Sequence, residues 1–174
     1  MIDDKILKAI PGAIHLGTVR VGHKGPGTYL GGVVKREGDL DADLPASAVS
    51  FLKAADRCLN GGKLESGIEL LLVPGTVCAA FSCELFLKYI VFRETGEVPQ
   101  GHQLVSLFHQ CSVGSRTELS NHTVNIEAVL ERDSRHFVDG RYHHERDLFS
   151  FREMELLQAA EALFEFVQQR FPGM

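Results

Sequence analysis

Between Glu131 and Asp147 the chain reads ERDSRHFVDGRYHHERD, its densest run of groups able to do chemistry. Arg132, Arg135, His136, Arg141, His143, His144 and Arg146 are cationic or can become so, all within fifteen residues. A guanidinium holds phosphate oxygens in a fixed fork, and an imidazole gains or loses its charge near neutral pH. Arg132, Arg135, His136, Arg141, His143 and His144 are therefore candidate contacts to a phosphate-bearing ligand. The acids Glu131, Asp133, Asp139, Glu145 and Asp147 interleave with them, so the local field is largely compensated. The same run also suits a scaffold. Arg141 and Glu145 stand four apart and can pair with each other, or with Glu84 and Lys88 upstream.

Other histidines have plainer readings. His102 follows Gly101 at a helix start, where its ring can satisfy free backbone N–H groups as a cap does. His109 and His136 could face each other across helices and, with His143, His144 or Glu145, ligate a metal. Zinc wants three or four N, O or S ligands in a tetrahedron, and no His-x-x-x-His pair offers two from one helix face. No metal or cofactor is expected. The glycines of GHKGPGTYLGG lack a strand–turn–helix context, so they form no dinucleotide fingerprint.

These groups must be held by helices, and one stretch organises them. Pro74 to Gly96, PGTVCAAFSCELFLKYIVFRETG, reads as a single long helix. Pro74 suits a first turn and Gly96 a left-handed stop. Val77, Phe81, Leu85, Lys88 or Tyr89, and Phe92 recur at helical steps, which places them on one face. Ala79, Ala80, Phe86, Leu87, Ile90 and Val91 widen that face until most of the circumference is apolar, which places the helix inside a bundle. Glu84 and Lys88, four apart, predict an ion pair on the one wet stripe. With Glu84, Lys88 and Arg93 interrupting it, the run reads as too charged and too short to span a membrane.

Around it, Leu44-Pro45 opens a helix carrying Val49, Leu52, Ala55 and Leu59 inward, ended by Asn60-Gly61-Gly62. A linker follows. His102 begins a short helix with Leu104, Leu107, Phe108 and Cys111 inward, broken at Gly114-Ser115. A helical region over 116–138 and a final helix from Phe151 to Phe171 complete the set. The expected fold is an all-α, mostly up-and-down bundle of about five helices over residues 46–174. Residues 1–45, punctuated by glycine, read as a non-helical arm, extended or folded as a β-hairpin.

A chain of 174 residues is one domain with room for a sizeable core. Its net charge of −5 and pI near 5.9 argue against a generic nucleic-acid binder and leave only a local basic patch for that role. Cys58, Cys78, Cys83 and Cys111 have no Cys-x-x-Cys spacing and read as reduced cysteines of a cytoplasmic protein. No basic-then-apolar leader is seen.

The segment AAFSCELFLKYIVFRETGEVPQGHQLVSLF, followed by FVDGRYHHE, resembles the HEPN superfamily of helical-bundle domains. Its members show an alanine-rich helix ending in Glu-Leu-x-Leu-Lys, here Glu84 to Lys88, then Gly-His-x-Leu opening the next helix, here Gly101 to Leu104. The likeness covers roughly residues 46–170 as an order of elements. It implies a homodimer joined through the late helices, in a toxin–antitoxin or defence setting, with RNA, a nucleotide or an antitoxin-type protein as partner. Many members are metal-independent ribonucleases that use Arg-x(4–6)-His, the histidine moving protons and the arginine steadying the phosphorane. The expected region departs from that pattern. Arg132 and His136 have three residues between them, Arg135 and His143 have seven, and Arg141 stands just before His143 and His144. Arg116 and His122 meet the spacing, earlier than the family's motif. The catalytic candidates are thus Arg116, His122, Arg141 and His144. The expected function is a non-catalytic HEPN-like domain that binds a nucleotide, RNA or protein; the alternative is a metal-independent HEPN endoribonuclease.

Overall fold

A computed structural model of the chain describes residues 40–64, 67–69, 71–122, 125–134 and 153–172. In chain order these form α1 (Leu40–Leu59), β1 (Gly62–Leu64), β2 (Gly67–Glu69), α2 (Leu72–Thr95), α3 (Leu104–Gln110), α4 (Val113–His122), α5 (Ile126–Arg132) and α6 (Glu153–Arg170). The architecture is an all-α bundle with one small antiparallel hairpin. Residues 1–39 of the expected arm, and Phe137, lie outside the described residues.

α2 is the centre. Gly96 adopts φ +81° and donates its N–H to the Phe92 carbonyl, the left-handed stop the sequence calls for. Its length of 24 residues, with an 18-residue window of mean hydropathy 1.5, would suffice to cross a membrane, contrary to the expectation from its charges. Burial of 67 % of that apolar window marks it instead as the core helix of a bundle. The widened apolar face is buried as expected, but not evenly. Ala79, Ala80, Cys83, Phe86, Leu87, Tyr89, Ile90 and Val91 are buried, whereas Val77, Phe81, Leu85 and Phe92 form a half-buried stripe. On a helix apolar nearly all round, periodicity cannot single out a core face; small side chains can, because they let neighbours approach.

α1 packs antiparallel along α2. Phe51 stacks on Phe81 with centroids 5.0 Å apart, the buried Ser82 hydroxyl donates to the Ala48 carbonyl, and Arg93 reaches Asp41 at the far end. A Cβ on Gly75 would lie 2.6 Å from Leu59 Cγ, so glycine is required where the helices come closest. α1 begins at Leu40, earlier than Leu44-Pro45, and so claims the end of the expected arm. Asp41 and Asp43 favour its positive end, and Pro45 forfeits only one early-turn hydrogen bond.

The expected linker after α1 holds the hairpin, with Gly62 opposite Glu69, Lys63 opposite Ile68 and Leu64 opposite Gly67. α6 lies along α2 in the same direction, since its contacts advance with those of α2: Phe86 meets Phe164 and Tyr89 meets Phe171. Buried Leu156, Leu157, Ala160, Leu163, Phe164 and Val167 appear as expected, joined by Phe166, while Phe171 is half-buried. Arg93 lies over the rings of Tyr89 and Phe171 and donates to the Tyr89 hydroxyl, tying three helices together. Burial holds the Tyr89 phenol above its ordinary pKa, against the opposing pull of Arg93.

The middle helices are short and correct two boundaries. Leu104, Leu107, Phe108 and Cys111 point inward as predicted. The break comes at extended Cys111 and Ser112, not at Gly114-Ser115, which belong to α4. The Ser112 hydroxyl accepts the Ser115 N–H, capping α4. The Glu94 carboxylate, from the last turn of α2, accepts from the Ser112 N–H, the Ser112 hydroxyl and the Ser115 hydroxyl. The helical region expected over 116–138 is two helices, divided before Asn125, which takes φ +64°.

Candidate functional site

The one deeply buried acid of the core helix organises the polar site. Glu84 is 4 % exposed in the middle of α2. Helical spacing puts Lys88 one turn on, and its Nζ lies 2.9 Å from Glu84 Oε1. The pair exists as predicted, but its stripe is not wet: the Lys88 side chain is only 14 % exposed.

After α2 stops at Gly96 the chain doubles back through Pro99, which is buried, and Gly101, which takes φ +95°. That reversal brings His102 Nδ1 to 2.9 Å from the same Oε1 of Glu84. An ionised carboxylate only accepts hydrogen bonds, so Nδ1 carries the proton and donates. His102 thus serves the Glu84 carboxylate. The residue preceding α3 is Gln103, whose side chain makes no cap bond. One oxygen collects an ammonium and an imidazole N–H, and the ring, 65 % exposed, is fixed in tautomer and direction at the surface. Chemically the cluster can orient an imidazole and neutralise a buried anion.

The sequence-predicted residues are distributed differently. Arg132 ends α5 and directs Nε and Nη2 to the Asp133 carboxylate, which is 3 % exposed, and Nη1 to Glu155 of α6. The Asp133 bonds, followed by Glu155, raise the guanidinium pKa above its already high ordinary value. Of the two roles open to Arg132, the geometry supplies the scaffold: it joins α5 to α6. Arg135, His136, Arg141, His143 and His144 lie outside the described residues, as does Arg146.

Arg116 and His122 share α4. Six helical steps, with five residues between, set them about 9 Å apart along the axis and roughly 120° around it. Their backbones therefore present them on different faces. Arg116 is half-buried, with its Nε enclosed and unbonded. His109 meets Glu127 at 2.6 Å across α3 and α5, a bridge exposed on both sides; His136, its expected partner, lies outside the described residues. Among the described residues no three His, Cys, Asp or Glu side chains converge as metal ligands. The open groove lined by Ser120, Asn125, Ile126, Glu127, Ala128 and Glu131 carries carboxylates, which repel phosphate.

The four cysteine thiols are free. Burial, then Asp133, pushes the Cys83 thiol far above its ordinary pKa. Burial, then Glu94, pushes Cys111 up to about 12, against the pull of Arg116. Neither is a nucleophile at neutral pH.

Sequence reasoning missed the Glu84–His102 bond. The signal that could have found it was a carboxylate inside an otherwise apolar helix, which demands a partner from outside its own turn. Comparison with known proteins finds no matching family model, no matching curated protein and no matching solved structure.

Proposed function

We propose that the chain is a HEPN-like helical domain that acts by binding, as a homodimer in the cytoplasm, with an antitoxin-type protein as its partner in preference to RNA or a nucleotide. The carrying observation is the meeting of Glu84, Lys88 and His102. These are the polar residues of the Glu-Leu-x-Leu-Lys and Gly-His-x-Leu patterns on which the resemblance rests. Two segments 18 residues apart in sequence converge on one carboxylate, which gives the patterns a common structural purpose: they pin the turn after the core helix.

Binding is favoured over cleavage because Arg132 is occupied by Asp133 and Glu155. A protein partner is favoured over RNA by the overall charge of −5 and the carboxylate-lined groove.

The test incubates the purified chain with mixed RNA in the presence of a chelator, alongside light scattering for mass and fluorescence anisotropy with labelled RNA and nucleotides. The expected result is a dimer with no cleavage and no RNA binding at physiological salt. RNA cleavage abolished by Arg141→Ala and His144→Ala, or by Arg116→Ala and His122→Ala, would replace this reading with the metal-independent endoribonuclease. A monomer at every concentration removes the dimer.

A further inference from the structure

We infer that Cys58 and Cys78 form a thiol-oxidation site on the seam between α1 and α2, closing to a reversible intramolecular disulfide. Their helices run antiparallel, with Phe51 against Phe81 and Ser82 against Ala48. In this register Cys58 faces Gly75: a Cβ placed there would be 3.0 Å from the Cys58 Cβ. Cys78 follows Gly75 by three residues, a step that keeps Cβ positions about 5–6 Å apart on one helix face. Side chains lean toward the N-terminus of their own helix. Cys78 therefore leans back toward the level of Gly75, and Cys58, on the opposed helix, leans toward the level of Cys78. Gly75 has no side chain to stand between them.

The thiols' surroundings agree with this placement. Cys58 and Cys78 are half-buried and open to small oxidants, whereas Cys83 and Cys111 are buried. Burial raises the Cys78 thiol pKa, and the neighbouring Cys58 raises it further, so each sulfur lies in the other's field. Cys78 is accordingly the resolving partner.

With a peroxide as oxidant, Cys58 sulfur attacks the O–O bond, giving a sulfenic acid and one water. Cys78 sulfur then attacks the sulfenic sulfur. The S–S bond forms, the S–O bond breaks, and the hydroxyl leaves as a second water with the Cys78 proton. Two thiols are oxidised and one peroxide is reduced; a dithiol reverses the change. The bond would staple the last turn of α1 to the start of α2, closing the loop that holds the β1–β2 hairpin.

The test treats the full chain with hydrogen peroxide and counts thiols after denaturation. The expected count falls from four to two, with loss of two hydrogens in mass, a monomeric band without reductant, and a Cys58–Cys78 peptide on mapping. Dithiothreitol restores four thiols, the oxidised chain melts higher, and Cys58→Ser or Cys78→Ser forms no internal link. Mapping of the wild type decides the matter even where a variant folds poorly. Four persistent thiols, a link to Cys83 or Cys111, or disulfides only between chains would overturn the inference.

Discussion

Replacing Lys88 by Met tests the Glu84 cluster most directly. Methionine keeps the long stem and removes the ammonium, leaving a carboxylate side chain that is 5 % exposed with His102 as its remaining partner in the cluster. Breaking a buried ion pair from one side costs about 3–5 kcal/mol. The 14 % exposure of Lys88 admits some water, so the lower end, about 3 kcal/mol, is expected. His102→Ala removes a ring 65 % exposed and should cost about 0.5–1 kcal/mol. The double change Glu84→Leu with Lys88→Met removes both charges and should return to within about 1 kcal/mol of wild type. Urea denaturation followed by circular dichroism measures all of these, and a double-mutant cycle isolates a coupling of about 2 kcal/mol or more. A Lys88→Met cost below about 1 kcal/mol, with no recovery in the double variant, would refute the reasoning.

Gly75→Ala should destabilise the chain by about 1–3 kcal/mol in the same assay, because its methyl meets the buried Leu59 side chain. Arg132→Ala should cost about 2 kcal/mol by depriving buried Asp133 of two bonds, against less than about 1 kcal/mol for Glu155→Ala at the exposed side. Glu161→Gln should raise the melting temperature at neutral pH. Burial, then the charges of Asp56 and Glu165, hold its carboxyl pKa above the ordinary value, so the folded state binds this proton more tightly than the unfolded chain does. The ionised group therefore costs stability above the folded pKa. The gain from glutamine should shrink as pH falls through the carboxylate range, and calorimetry across pH measures it.

The long elements were legible because their signals are local. Gly96 stops α2 where the sequence says, and Leu104, Leu107 and Phe108 turn inward at helical spacing. The hairpin was not legible, since two three-residue strands between glycines give no period to read. Gly114 looked like a breaker, yet the break is made by Ser112, whose cap becomes visible only when its hydroxyl is placed on the Ser115 N–H. The site divided in the same way. Glu84 with Lys88 follows from helical spacing, whereas Glu84 with His102 depends on how Gly101 turns the chain, which is tertiary information. Arg132 was recognisable as a charged group, but the sequence alone did not show whether it would face a ligand or Glu155.

The three bonds gathered by Glu94 set how the molecule opens. This carboxylate sits at the negative end of α2 but faces the positive end of α4, so its energy belongs to the contact between the two helices. Among the described side chains of α4, Leu119 is fully buried, Ser115, already bonded to Glu94, is nearly so, and Arg116 is half-buried. The amides of α4 can therefore exchange with solvent by parting one polar joint and withdrawing Leu119 and the half-buried Arg116, while those of α2 wait for the whole bundle to unfold. Salt screens the first event and spares the second. Hydrogen exchange should thus resolve α4 as the first of the described helices to open, at a rate set by a residue outside that helix.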